Sequence, residues 1–422
     1  MRSSRPLLLF VIAFTVAFGF FAIAVPLFAV SREQVLYSFC PLSGCPDGAE
    51  PFAGLVFDSA GNLYGTTEGG GAAGTVFELM PGADGNWTET VLHSFGNGSD
   101  GAGPQAGLVL DAAGNLYGTT YYGGAYDSGI VFKLAPGPKG VWTETILHSF
   151  GKGTDGALPV VAGLVFDTAG NLYGTTEAGG VYGVGAVFRL TPGADGSWKE
   201  SVLHSFNPNG KDGVYPEAGL TFDAAGNLYS TTVSGGAYNY YGTVFELSPR
   251  AGGQWTEKVL YSFNGADGGY PQAGLIFDAA GNMYGTTFTG GVYSYGTVFQ
   301  LAKKTRGKWT EKVLHSFDRF SKNGSYLDAS LIMDAAGKLY STTFLGGDMS
   351  GCAGSGCGLV FELARSTNGK WRERVLHRFH DTNGDGFGPL AGLVLDAAGN
   401  LYGTTRQGGA YYFYGTVFEI TP

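Results

Sequence analysis

Residues 107–150 alternate between short β-forming runs and clusters of turn residues. Gly107-Leu108-Val109-Leu110 is an apolar run, Asp111-Ala-Ala-Gly-Asn115 is turn chemistry, and Leu116-Tyr-Gly-Thr-Thr120 is a second β-forming run. This pattern predicts a hairpin, strands A and B. The Asp side chain can accept backbone N–H groups, and Gly114 and Asn115 tolerate the positive φ of such a turn. A Gly-rich loop leads to Ile130-Val-Phe-Lys-Leu134, strand C. After the turn Pro136–Gly140 comes Trp142-Thr-Glu-Thr-Ile-Leu-His-Ser-Phe150, strand D, read as alternately apolar and polar. Four antiparallel strands make one propeller blade.

The unit recurs seven times. Its Asp falls at Asp58, Asp111, Asp167, Asp223, Asp278, Asp334 and Asp396, at intervals of 53 to 62 residues, which is a repeat architecture rather than a set of separate domains. The seventh copy ends at Pro422 after strand C, whereas Gln34-Val-Leu-Tyr-Ser-Phe39 matches strand D with no repeat ahead of it. The N-terminal strand is therefore expected to complete the last blade. The fold class is all-β: a closed seven-bladed β-propeller of four-stranded antiparallel blades over residues 33–422. An open solenoid would need polar caps, and the sequence has none.

These residues resemble the Gloeo-Verruco (GloVer) tandem repeat, named in part for the Gly-Leu-Val-x-Asp core that stands here as Gly54-Leu55-Val56-Phe57-Asp58. The resemblance implies an extracytoplasmic repeat protein, often held at the cell surface by a C-terminal sorting signal. It carries no catalytic residues with it. Because this sequence stops at its last strand, any anchor is expected in the N-terminal segment.

Composition agrees with this class. Hydrophobic residues make up 44%, enough for a core, while 73 glycines and 14% charged residues suit many tight turns. Residues 1–30 differ: Arg2 and Arg5 precede an uncharged, mostly apolar run, Leu7 to Val30, the layout of an export signal peptide or, uncleaved, of an N-terminal anchor. The expected location is extracytoplasmic: secreted, periplasmic or cell surface. Without the two arginines of that segment, 35 acidic residues face 23 basic ones, a formal charge of −12. Nucleic acid and anionic lipid are excluded as partners, and the membrane is reached only through the N-terminal segment. A monomer is expected. Cys40 and Cys45, and Cys352 and Cys357, form two Cys-x4-Cys loops read as local disulfides.

Candidate chemistry gathers on one face. Of 24 tyrosines, seven are the strand B Tyr and two lie in strand D (Tyr37, Tyr261); the other 15 fall in B to C or D to A loops, which open on the same face of a propeller. Tyr126, Tyr182, Tyr238, Tyr293 and Tyr411 recur at one place and are read as packing between blades. A single site must be built from positions that differ between copies. The residue after Gly/Ser-Thr-Thr is such a position, reading Glu68, Tyr121, Glu177, Val233, Phe288, Phe344 and Arg406. The candidate ligand-binding set is Glu68, Tyr121, Tyr122, Glu177, Tyr241, Phe288, Phe344, Arg406, Tyr412 and Tyr414. Aromatic faces suit sugar rings or a protein partner.

No nucleophile elbow, zinc helix or phosphate loop occurs, so no catalytic residue is assigned and no cofactor is expected. Calcium is the one candidate ion, at Asp381, Asn383 and Asp385, which fit the first half of a calcium loop although position 12 is Gly392. The strand D histidines, His93, His148, His204, His315 and His377, are read as structural. The leading functional expectation is an exported, non-enzymatic protein that binds a carbohydrate, an envelope component or a protein through the Tyr-rich face. The alternatives are an extracytoplasmic glycan hydrolase or lyase, with Glu68 and Glu177 as paired carboxylates, and a protein–protein scaffold.

Overall fold

A computed structural model describes residues 31–422 except 97–98, 160–162, 239, 305–306, 383 and 412; the expected export segment lies outside the described residues. Seven four-stranded antiparallel sheets are arranged as blades. Blade 1 consists of Val56–Phe57, Leu63–Thr67, Thr75–Pro81 and Trp87–Ser94. In blade 7, Val394–Leu395, Leu401–Thr405 and Thr416–Thr421 are completed by Arg32–Ser38, which pairs antiparallel with Thr416–Thr421. The ring therefore closes through the N-terminal strand. Among the described residues no helix is long and apolar enough to cross a membrane.

Each motif residue has a structural task. Asp58 accepts the amides of Ala60 and Asn62 at 2.8 and 2.9 Å and the Tyr64 hydroxyl at 3.2 Å. The same bonds recur around Asp111, Asp167, Asp223, Asp278, Asp334 and Asp396. The first Thr of six of the seven Thr-Thr pairs reaches the next blade among the described residues: Thr66 Oγ1 donates to the Ala106 carbonyl, and Thr404 Oγ1 donates to that of Ala53, across the closure, at 3.0 Å. Gly54, Gly107, Gly163, Gly219, Gly274 and Gly392 line the axis. A Cβ built on Gly54 would stand 3.1 Å from the Gly392 carbonyl oxygen, so the small residue sets how tightly the inner strands converge.

Strand D departs from simple alternation. A β-bulge between Val131 and Phe132 pairs Phe132 with Ile146 and Val131 with His148, so Leu147 is the extra residue. Leu147 is buried and Ile146 is exposed. The following Phe then enters the seam between blades: Phe95 meets Phe132 edge-on at 5.1 Å, and Phe39 meets Phe77 at the same distance across the closure.

Both expected disulfides form, Cys40–Cys45 and Cys352–Cys357, in keeping with an extracytoplasmic protein. Each closes a short loop, so its entropic contribution is modest. The paired change Cys40→Ser, Cys45→Ser is expected to cost about 2 kcal/mol, measured as a lowered denaturation midpoint under non-reducing conditions.

Candidate functional site

The D to A connections end on a rigid device repeated seven times. Glu50, Gly103, Leu158, Tyr215, Tyr270, Tyr326 and Gly388 all adopt the left-handed conformation, with φ between 54° and 67°. The carbonyl of each accepts the amide of the residue after Thr-Thr, for example Glu68 at 3.1 Å, Glu177 at 3.0 Å and Arg406 at 3.2 Å. Five of the seven are not glycine, and each such residue costs on the order of 1–3 kcal/mol. The strain is held where the loops are cross-tied, and it fixes the rim of the central channel.

Two rings of side chains meet at that rim. From the position after Thr-Thr come Tyr121, Glu177, Phe288, Phe344 and Arg406, with Tyr122 beside them; from the position before Ala-Gly/Ser-Leu come Phe52, Gln105, Glu217, Gln272, Asp328 and Leu390. Together they enclose a pocket of ≈ 500 Å³, the size of a small-ligand site. Sequence reasoning missed the second ring. Its signal was the same variation between copies: Phe, Gln, Val, Glu, Gln, Asp and Leu at one point of the repeat.

Three carboxyls, Glu177, Glu217 and Asp328, line the pocket, with Gln272 between the last two in the ring. Burial, and then the charge of Glu177, pushes Glu217 up to about 7. Burial, and then the charge of Glu217, does the same to Asp328. Tyr121 donates its hydroxyl to Glu177 at 3.1 Å, and Gln272 donates Nε2 to Glu217 at 3.4 Å. The Gln272 carbonyl oxygen is buried with no hydrogen-bond partner among the described residues. Raised pKa values alone would not single out this group. The strand D glutamates Glu33, Glu89, Glu144, Glu200, Glu257, Glu311 and Glu373 are all pushed to about 7, chiefly by burial. Those recur in every blade; the pocket carboxyls do not.

Other sequence candidates lie elsewhere. Glu68 accepts Gln105 Nε2 at 2.9 Å and stands 3.9 Å from Arg406. Arg406 in turn donates Nε and Nη2 to Glu50 at 3.0 and 2.9 Å, a partner that sequence reasoning did not name. Tyr241 packs against Tyr270 at 6.0 Å and lies over Gly265 and Gly269, and Tyr414 is outside the pocket lining. Tyr412 lies outside the described residues. The recurring Tyr126, Tyr182, Tyr238, Tyr293 and Tyr411 are 44–55% exposed rather than enclosed between blades, because the loops carrying them project past the sheets.

Of the candidate calcium ligands, Asn383 lies outside the described residues. Asp381 accepts the Cys352 amide at 2.7 Å, and Asp385 accepts the amides of His380 and Gly386 at 3.0 and 2.7 Å. Asp385 thus serves its own loop, while Asp381 ties that loop to the one carrying the Cys352–Cys357 disulfide.

A family model described as the Gloeobacter/Verrucomicrobia repeat matches residues 26–224 and 161–354. A search of curated proteins returned no match. Among solved structures, an ancestral GH74 enzyme shares 11% identity at a TM-score of 0.58; the match covers 88% of this chain and 48% of the enzyme. The chain thus spans about half of that enzyme's length, and the likeness is one of fold. The extracellular domain of a one-component system from B. thetaiotaomicron matches at 14% identity and a TM-score of 0.42, covering 87% of this chain and 45% of that one. The expectation of a non-enzymatic module binding through its Tyr-rich face is corrected by these findings. One of the fold neighbours is an enzyme, and the pocket that Tyr121 and Tyr122 help to line also holds the carboxyls Glu177, Glu217 and Asp328.

Proposed function

Because the chain belongs to the Gloeobacter/Verrucomicrobia repeat family and carries this pocket at its axis, we propose that it is an extracytoplasmic glycoside hydrolase acting on a neutral glycan. The observation that carries the reading is the presence of Glu177, Glu217 and Asp328 together in an aromatic-walled pocket. Hydrolysis of a glycosidic bond uses two carboxyls, one protonated and one not. Glu217, held protonated to about 7, gives its proton to the leaving-group oxygen as the bond from the anomeric carbon breaks. Glu177 takes a proton from the attacking water or itself attacks that carbon. Tyr121, Phe52, Phe288 and Phe344 offer faces for sugar rings, and the Gln272 carbonyl accepts a sugar hydroxyl.

Electrostatics favour hydrolysis over a lyase reaction. Lyase chemistry on a uronate needs the substrate carboxylate neutralised, and the one cation lining the described pocket, Arg406, is already paired with Glu50. An acidic mouth repels polyuronates. The test is release of reducing sugar by the purified protein from neutral and acidic polysaccharides across pH. Since Glu217 must carry its proton, the rate is expected to fall tenfold per pH unit above about pH 7. Unsaturated products from a polyuronate, or no product from any glycan, would overturn the reading.

A further inference from the structure

At the outer edge of each seam, strand D of one blade, the D to A loop after it and strand D of the next blade bring three side chains together. The third seam joins His204 and Asp212 to Glu257; the first joins His93 and Asp100 to Glu144; the sixth joins His377 and Asp385 to Glu33 of the closing strand. In each, one ligand atom per residue lies within 4.8 Å of the other two. His204 Nε2 is 3.0 Å from Asp212 Oδ2, His377 Nε2 is 3.2 Å from Asp385 Oδ2, and His93 Nε2 is 3.6 Å from Asp100 Oδ2.

These groups are left electrically and sterically incomplete. Asp212 is only 8% exposed, yet its Oδ1 has no hydrogen-bond partner among the described residues. Glu257, Glu144 and Glu33 each keep a buried Oε1 with no hydrogen-bond partner among the described residues, as do the strand D glutamates of the other seams, and His93 Nε2 is likewise buried and unpartnered. With both carboxyls ionised, each cluster carries two negative charges into a poorly hydrated seam, and no Lys or Arg forms an ion pair with it among the described residues. Buried charge of this kind is normally paired or bound to metal.

We propose that these three seams are divalent-cation sites of the zinc class, each coordinated by an imidazole Nε2, an Asp oxygen and a Glu oxygen supplied by two adjacent blades. A 2+ ion cancels the two carboxylates. The mixed nitrogen and oxygen set suits zinc better than calcium, and three protein ligands leave a fourth position for water. The ion would tie blade to blade at the rim, and in the sixth seam it would tie the N-terminal strand into the ring.

The second seam keeps His148 and Asp155, 3.2 Å apart, but its Glu200 does not come within 4.8 Å of both ligand atoms. The other three seams provide controls. Tyr37 and Tyr261 replace His in two of them and donate their hydroxyls to Asp47 and Asp267 at 2.9 and 2.6 Å. Asn323 replaces the Asp in another and stands 3.4 Å from His315 Nε2. The fold thus already accommodates Tyr at the His position, which makes the triple variant His93→Tyr, His204→Tyr, His377→Tyr a fair test.

The purified protein, stripped with chelator, would be titrated with Zn²⁺ by calorimetry and its metal content measured after dialysis. The expected result is three equivalents bound, matching the three clusters, with a raised Tm. The triple variant, folded by circular dichroism, is expected to lose those three equivalents and the Tm response. No zinc uptake by the unaltered protein, or full uptake by the variant, would overturn the proposal.

Discussion

Glu217→Gln is expected to lower kcat for glycan hydrolysis by about 10²–10⁴-fold, the usual contribution of a positioned general acid, with KM changed little. The side chain keeps its shape and can still bond to Gln272, so binding of the sugar survives while proton delivery to the leaving group does not. Two further readouts separate this from a general loss of structure. The fall in rate above about pH 7 should disappear in the residual activity, because the group responsible for it is gone. A substrate whose leaving group departs without protonation should lose far less rate than a natural glycan. Glu177→Gln should be comparably damaging for both substrates. Glu68→Gln should cost much less, since Glu68 is engaged by Gln105 beside Arg406 and does not line the pocket. Equal rates for Glu217→Gln and the unaltered protein would remove Glu217 from the mechanism.

The different legibility of fold and site in this sequence has a physical origin. Strand order and closure follow from local rules: turn chemistry at Asp58 to Asn62, β-forming runs on either side, and a strand D found at the front of the chain. The site depends on which of seven equivalent positions face the axis. One such ring, running from Glu68 to Arg406, was found by its variation. The second, with Glu217 and Asp328, was hidden because it sits directly before the recurring Ala-Gly-Leu and reads as the start of a core strand. The seam clusters were harder still. Glu257 meets His204 from the next blade, 53 residues away, and the angle at which neighbouring blades cross is not written in either strand. Sequence reasoning therefore treated the histidines blade by blade and left the partner glutamates unread.

Deleting Ser31–Phe39 is expected to have the largest effect on stability. The deletion leaves Thr416–Thr421 as an exposed edge and opens the seam that Phe39 fills against Phe77. Phe39 and Leu36 are both buried, and loss of a buried Phe alone costs about 3–5 kcal/mol. The lost strand pairing and the missing seam add to this, bringing the total into the range of a whole protein's stability of about 5–15 kcal/mol. The expected outcome is a chain that aggregates or unfolds at ambient temperature, because an unpaired edge invites pairing between molecules. A permuted chain distinguishes loss of closure from loss of sequence. Moving residues 31–39 to follow Pro422, through the turn Gly82–Asn86 that joins Thr75–Pro81 to Trp87–Ser94 in blade 1, rebuilds blade 7 as one continuous sheet. If the strand acts by closing the ring, the permuted chain should recover most of the Tm. Failure of the permuted chain to fold would mean that the strand must be N-terminal for some other reason; a stable deletion mutant would mean that the ring does not depend on closure at all.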